Sequence, residues 1–184
     1  MKIFTYVFAL LFSVGLIAQE DVIIEDDDGS PFKEIENKGL TKDGKTFVDA
    51  FVNKNFDKVI EMSHPNIVEM GGGDVFMKQL LTDDRVMMEN QRIKYISGAI
   101  DEGTEILDAG DELHCIVSQA IVMDIGGTKV KSYSNLLAAS LDGGNNWKFV
   151  SLDQHDAQSI KVFVPAYNPK LIIPEKRPTE NVAN

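Results

Sequence analysis

Apolar and polar positions alternate along residues 112–124 (ELHCIVSQAIVMD), a stretch rich in β-branched side chains and free of glycine and proline, which predicts a strand. Residues 128–141 (TKVKSYSNLLAASL) predict a second strand of similar length. Between them, Gly126-Gly127 predicts a two-residue hairpin turn, because paired glycines supply the positive φ angles such turns require. That turn sets the register. Ile125 faces Thr128, Met123 faces Val130, Ile121 faces Ser132, Gln119 faces Ser134, Val117 faces Leu136 and Cys115 faces Ala138. The other face pairs Asp124 with Lys129, Val122 with Lys131, Ala120 with Tyr133, Ser118 with Asn135 and His114 with Ala139.

The first face is apolar enough to lie under helices, and Asp124 with Lys129 makes a favourable cross-strand pair on the second. A slip of one residue would mix the two faces. Only Gln119 and Ser134 interrupt the apolar face. Either they bond each other or buried water, as buried polar groups usually do, or they line a pocket.

Ahead of the hairpin the period changes to that of helices. Residues 40–53 repeat Phe47, Ala50 and Phe51 at helical spacing, and residues 56–62 put Phe56, Val59 and Ile60 on one face behind an Asn55 cap. Ser63-His64-Pro65-Asn66 predicts a stop, and residues 67–70 an apolar bridge into Gly71-Gly72-Gly73. Asp74 is the expected N-cap of a third helix over 75–90 that buries Phe76, Leu80 and Met87. Residues 92–100 alternate as a strand with Ile93 and Tyr95 on one face, and 101–111 read as a connection. Residues 148–152 predict a further strand whose register is open by one residue, so the face of Trp147 and Phe149 stays open too. Residues 156–164 fit either a helical turn or an extended strap. Four prolines then keep 165–184 irregular, and its apolar residues are expected to lie along the body.

A basic start followed by the apolar run 3–17 has the layout of a secretory leader, expected over residues 1–18, ahead of an acidic spacer over 19–39. The folded domain is expected over 40–164, and the chain is expected to be exported, to the periplasm or beyond the cell. The run is shorter than a spanning helix needs, so no membrane span is expected. A net charge of −11 argues against a nucleic-acid partner and against an anionic membrane surface. Cys115 is the only cysteine and is expected to be a small core residue. The glycines at 71–73 precede Asp74 and no Lys-Ser/Thr, which excludes a P-loop. The aspartates at 26–28 do not space as a calcium loop. The three histidines lack close metal-ligand spacing, so no metal and no cofactor is expected.

Residues 140–147 (SLDGGNNW) resemble the Asp-box hairpin of sialidases, but a single copy in a short chain implies a turn, not a propeller. The element order over 40–152, with Phe47-Val48-Asp49-Ala50-Phe51, Asn55-Phe56-Asp57 and Gly144-Asn145-Asn146-Trp147-Lys148-Phe149, resembles the nuclear transport factor 2-like superfamily. That resemblance implies an α+β fold: a curved antiparallel sheet wrapped around N-terminal helices as a cone, with a cavity at its wide end. It also implies pairing of two copies through the outer sheet face, where Ile116, Ala120, Tyr133 and Leu137 are too apolar for exposure.

Two functions follow. The first is a non-catalytic binding protein, taking a small apolar or amphipathic ligand with Gln119, Ser134, Tyr95 and His64, or taking a protein partner. The second is a small acid–base enzyme of the ketosteroid isomerase or polyketide cyclase type. The resemblance implies an Asp or His in the cavity, for which His64, Asp153, His155 and Asp156 are the candidates. Against that stands the plainer expectation that the histidines are capping or surface residues.

Overall fold

The computed structural model describes residues 38–152 and 157–182. The expected leader, nearly all of the expected spacer, and Asp153, His155 and Asp156 lie outside the described residues. The chain forms α1 (Lys38–Val52), α2 (Phe56–Met62), α3 (Pro65–Met70), α4 (Asp74–Asn90), β1 (Ile93–Gly103), β2 (Leu107–Asp108), β3 (Leu113–Ile125), β4 (Thr128–Ser140), β5 (Lys148–Ser151), α5 (Ala157–Phe163) and β6 (Glu180–Asn181). It is an α+β fold on one open antiparallel sheet in the order β1-β3-β4-β5, with β2 added to β3 and β6 added to β4.

The β3–β4 pairing is the one the glycine turn predicts, from Ile125 against Thr128 to Leu113 against Ser140. Gly126 and Gly127 take φ of 62° and 97°, and the Gly127 N–H donates to the Asp124 carboxylate at 2.7 Å. On the inner face Cys115, Val117, Ile121, Met123, Leu136 and Ala138 are buried. β5 settles the open register: Phe149 opposes Ala138 on the inner face and stacks on Phe47 of α1, ring centroids 5.0 Å apart. In the turn before it, the Asp142 carboxylate accepts from the backbone N–H groups of Asn145 and Asn146 and from the Asn146 side chain. Those bonds, the Asn146 side chain's first, hold its pKa down at about 2.

Much of the outer face away from the glycine turn is also buried. Ile116, Ala120, Tyr133 and Leu137 are covered within the single chain, so their apolarity is accounted for without a second copy. The chain after α5 crosses this face. Asn135 donates to the Pro174 carbonyl at 2.6 Å, the Tyr133 hydroxyl donates to Glu180 at 3.1 Å, and the Arg177 guanidinium lies 4.0 Å from the Tyr133 ring centroid. β6 then pairs with Val130 and Lys131. The expected strap lies on the side away from α1, with Tyr167 and Leu171 buried against the body, while Val162 and Ile172, also expected to pack there, are exposed.

Three local expectations are corrected. Residues 65–70 are helical, not a bridge, because Pro65 stands at the first helical position, where its missing N–H costs nothing. Asp74 lies in the first turn of α4 and Gly73 takes the cap position. The buried face of α4 is Met77, Leu81, Arg85 and Met88, while Phe76 and Met87 are exposed. Apolar residues occur in adjacent pairs along this helix, so two phases satisfy the period equally well. The one realised lets Arg85 reach α1.

β1 carries Gly98 opposite Ile121, under α1. A Cβ at Gly98 would stand 2.1 Å from Val48 Cγ1, so the helix rests directly on the strand backbone. Gly98→Ala is therefore expected to destabilise the fold by about 1–3 kcal/mol. Urea denaturation of the two proteins checks this, and an unchanged midpoint would mean that α1 can lift off the sheet at little cost.

Candidate functional site

The residues predicted to share a site fall into three places. Gln119 and Ser134 oppose each other on the inner face, and the Gln119 amide donates to the Ser134 hydroxyl at 2.7 Å. Gln119 is 2% exposed and Ser134 7%. The reading in which the two bond each other is thus realised, and it leaves capacity. One Gln119 N–H and the Ser134 oxygen are used, while the second amide proton, the amide oxygen and the hydroxyl proton are not committed by this bond. The neighbours are Ile100 across the β1 pairing, Val117 and Ile121 along β3, and Leu136 along β4. Beyond Ser134 the inner-face positions Ser132 and Val130 are only half-buried. Among the described residues β5 pairs with 136–139 of β4 and β6 with 130–131, so Ser134 sits where neither covers the strand edge.

Tyr95 opposes Met123, four residues along β3 from Gln119, which is about 13 Å at strand rise. It belongs to a cluster that the sequence reading missed. Arg85 of α4 is 4% exposed, its guanidinium carbon 4.1 Å from the Tyr95 ring centroid and 4.9 Å from that of Phe51. Phe51 and Tyr95 meet edge to face at 5.2 Å. Arg85 Nη2 donates to the Phe51 carbonyl at 2.7 Å and Nη1 to the Val52 carbonyl at 3.2 Å. Those carbonyls lie in the last turn of α1, and the Phe51 carbonyl also accepts from the Lys54 N–H at 3.2 Å; the cation adds a donor to each and opposes the negative end of the helix dipole. Ring faces and the nearby carboxylates Glu89 and Asp84 add to its electrostatic surroundings. Burial lowers the Arg85 pKa, raises that of the neighbouring Asp84, and pushes the Tyr95 hydroxyl up to about 12. This is a clamp between α4, α1 and β1. The signal for it was Arg85 at helical spacing from Met77, Leu81 and Met88.

His64 is in the third place, with Glu112 and His114. It is the N-cap of α3, and its Nδ1 accepts from the Asn66 N–H at 3.3 Å. The plainer expectation, a capping histidine, describes its geometry. Its Nε2 points toward Glu112 Oε2 at 3.5 Å, close enough for attraction but long for a hydrogen bond. His114, an outer-face residue of β3, binds the same oxygen through Nε2 at 2.7 Å, and its Nδ1 accepts from the Asn168 N–H at 3.4 Å. The Tyr167 ring lies alongside His114, centroids 6.3 Å apart. His64 is 1% exposed and His114 0%. Burial, more than any other influence, lowers the His64 pKa. Glu112 works in the opposite direction and His114 in the same one.

Two imidazoles and a carboxylate suggest a metal site by composition, but the proton positions oppose it. Each Nδ1 accepts from a backbone N–H, which puts the ring proton on Nε2, the atom that would have to present a lone pair. Among the described residues no group of three or more His, Cys, Asp or Glu side chains is arranged to hold a metal ion. No helix among them is long and apolar enough to cross a membrane. The Glu112–His114 spacing, two residues apart on one strand face, was the readable half of this cluster. Its approach by His64 was not.

No family model matches the chain, and no curated protein matches it in sequence.

The Arg85 clamp is testable by stability. Arg85→Met keeps the length and apolar contact of the side chain but removes the charged donor from both carbonyls, and is expected to cost about 1–3 kcal/mol. Arg85→Lys is expected to recover little of it, because a point donor cannot serve two carbonyls and stack on Tyr95 together. Denaturant titration of the three proteins gives both numbers. A Met variant within about 0.5 kcal/mol of the parent would show the clamp to be energetically idle.

Proposed function

We propose that this chain is the folded domain of an exported, non-catalytic binding protein of nuclear transport factor 2-like build, whose ligand is a small apolar or amphipathic molecule. The observation that carries this reading is the Gln119–Ser134 pair, a hydrogen-bonded polar couple set into an otherwise apolar inner face. A ligand with one polar group could take up the couple's spare donor and acceptor capacity while its apolar part stays dry against the sheet. The half-buried Ser132 and Val130 beside it mark the direction of entry, at what would be the wide end of a cone.

His64 gives the acid–base alternative no support. Its Nδ1 is occupied by the Asn66 N–H, and its ring lies with the outer-face residue His114, on the other side of the sheet from Gln119. Tyr95 lies too far along the sheet to share a small ligand's polar group with Gln119. A protein-partner form of the same reading would use the outward row of α4, where Val75 is 86% exposed beside Phe76, Val86 and Met87.

An amphipathic fluorescent probe, anilinonaphthalene sulfonate, tests the ligand form. The parent protein is expected to bind it saturably at one site. Gln119→Leu with Ser134→Ala removes both polar partners together, a change that is close to neutral for folding. The double variant is expected to bind about tenfold more weakly while keeping its circular dichroism spectrum. Equal binding by both proteins would remove the inner-face site.

A further inference from the structure

We infer that the inner-face site takes an uncharged amphiphile, whose polar end is a hydroxyl or a carboxamide and neither a carboxylate nor an ammonium. The inference rests on the ligand site proposed above and names the chemical class of its occupant.

The sheet sorts its charges by face. Asp124 opposes Lys94 on β1 and Lys129 on β4, in the outer row. Lys131 opposes Val122 in that row, 5.0 Å from the Tyr133 ring centroid. Lys148 opposes Ala139, also in the outer row, and Asp101 is bound by Arg177 of the strap. The inner rows of β3 and β4 run from Ile125 and Thr128 at the turn to Cys115 and Ala138. Among the described residues they hold no charged side chain, and Cys115, its thiol pushed up to about 12 by burial, is neutral.

The described elements packed on this face bring no counter-charge to Gln119 either. α1 lays Gly44 against Ile100, the residue opposite Gln119, and Val48 against Gly98. Lys42 and Lys45 of α1 are exposed, and the Asp43 carboxylate accepts from the Trp147 N–H at 3.0 Å, ahead of β5. Asp49 falls on the far side of the helix from Gly44 and Phe51. Arg85 is buried, but it lies with Tyr95, about 13 Å along the sheet, and its Nη1 and Nη2 both donate to carbonyls of α1.

What faces a ligand is a set of neutral dipoles. Beyond their mutual bond, Gln119 has an amide oxygen and one N–H to offer, and Ser134 a hydroxyl proton. Ser132, half-buried, adds another hydroxyl two positions nearer the turn, about 7 Å away. A hydroxyl or carboxamide both donates and accepts, so it can answer the amide oxygen and the serine proton together. A carboxylate only accepts and an ammonium only donates, so each leaves one of the two unanswered. Each ion would also give up its hydration with no opposite charge to meet it, which costs far more than one unmade neutral bond.

The net charge of −11 acts differently on the two ions, repelling a carboxylate and attracting an ammonium. Salt screens that field beyond about 8 Å, whereas nothing screens the loss of hydration inside. The ammonium is therefore the sharper probe, since surface and interior disagree about it.

Titration calorimetry at about pH 7.5 and about 0.15 M salt tests this with decanol, decanamide, decanoate and decylammonium, each kept below its aggregation concentration. The two neutral probes are expected to bind the parent at least about tenfold more tightly than either ion. Gln119→Leu with Ser134→Ala is expected to weaken the neutral probes about tenfold and the ions little. Ser132→Lys, at a position from which a long side chain reaches water, is expected to favour decanoate about tenfold over decylammonium. Either ion binding the parent as tightly as decanol leaves the site standing and overturns the inference, an ammonium preference by revealing a carboxylate there. Unaltered selectivity in a folded Ser132→Lys protein overturns it too; if that variant does not fold, the parent's own ranking decides. The anilinonaphthalene probe follows the same rule with its rings and N–H inside and its sulfonate at the half-buried end, so it reports the site and not the head group. Should it bind while none of the four does, the site stands and this class is wrong. Should it fail as well, the ligand reading falls and takes this inference with it.

Discussion

The structure depends on one constraint: a long two-stranded ribbon whose faces must both be kept from water. Strand geometry sends successive side chains to opposite sides, and a two-residue glycine turn leaves a single register. Here that register puts Cys115, Val117, Ile121 and Met123 on one side and Ile116, Ala120, Tyr133 and Leu137 on the other. Neither set can be left exposed. α1 covers the first, close enough that Gly98 must lack a side chain, and the C-terminal chain runs across the second. The layers on the two sides are unequal. One is a helix packed on its apolar face; the other is an irregular segment held by the buried Tyr167 and Leu171 and by a few named polar contacts.

The polar groups inside serve mainly to end helices and to join layers. Arg85 takes the last carbonyls of α1 and His64 takes an early N–H of α3, as the exposed Asn55 does for α2 at the surface. Each satisfies a backbone group that a helix end leaves over, and such groups are costly to bury unpaired. Arg85 and His64 do this from buried positions, so each couples a helix terminus to the rest of the core. The Gln119–Ser134 couple is different in kind, since it satisfies no backbone group and joins no helix to the sheet.

What was legible follows from range. The β3–β4 register needed only alternation and Gly126-Gly127, both local, and every pair came out as read. Gln119 opposite Ser134 was readable for the same reason. The phase of α4 was not, because Phe76 beside Met77, Leu80 beside Leu81 and Met87 beside Met88 offer two apolar faces one residue apart. Contact with Phe51 and Val52, far back in the chain, chose between them. Pro65 was read as a terminator when it opens α3, a choice that depends on His64 being free to cap. The approach of His64 to Glu112 joins elements with no pattern in common, so no periodicity could announce it. The side of the sheet on which the strap would lie was equally silent, since apolar residues in an irregular segment carry no direction.

Cys115 lies on the inner face near the open end of the ribbon, wholly out of contact with solvent, and burial pushes its thiol up to about 12. Nucleophilic attack by sulfur needs the thiolate and a path to it. In the folded chain both are withheld, so oxidants and alkylating reagents find the sulfur only after the two layers part. Its rate of modification would then keep time for core opening, and crosslinking between copies through this residue would be confined to chains that have already come apart.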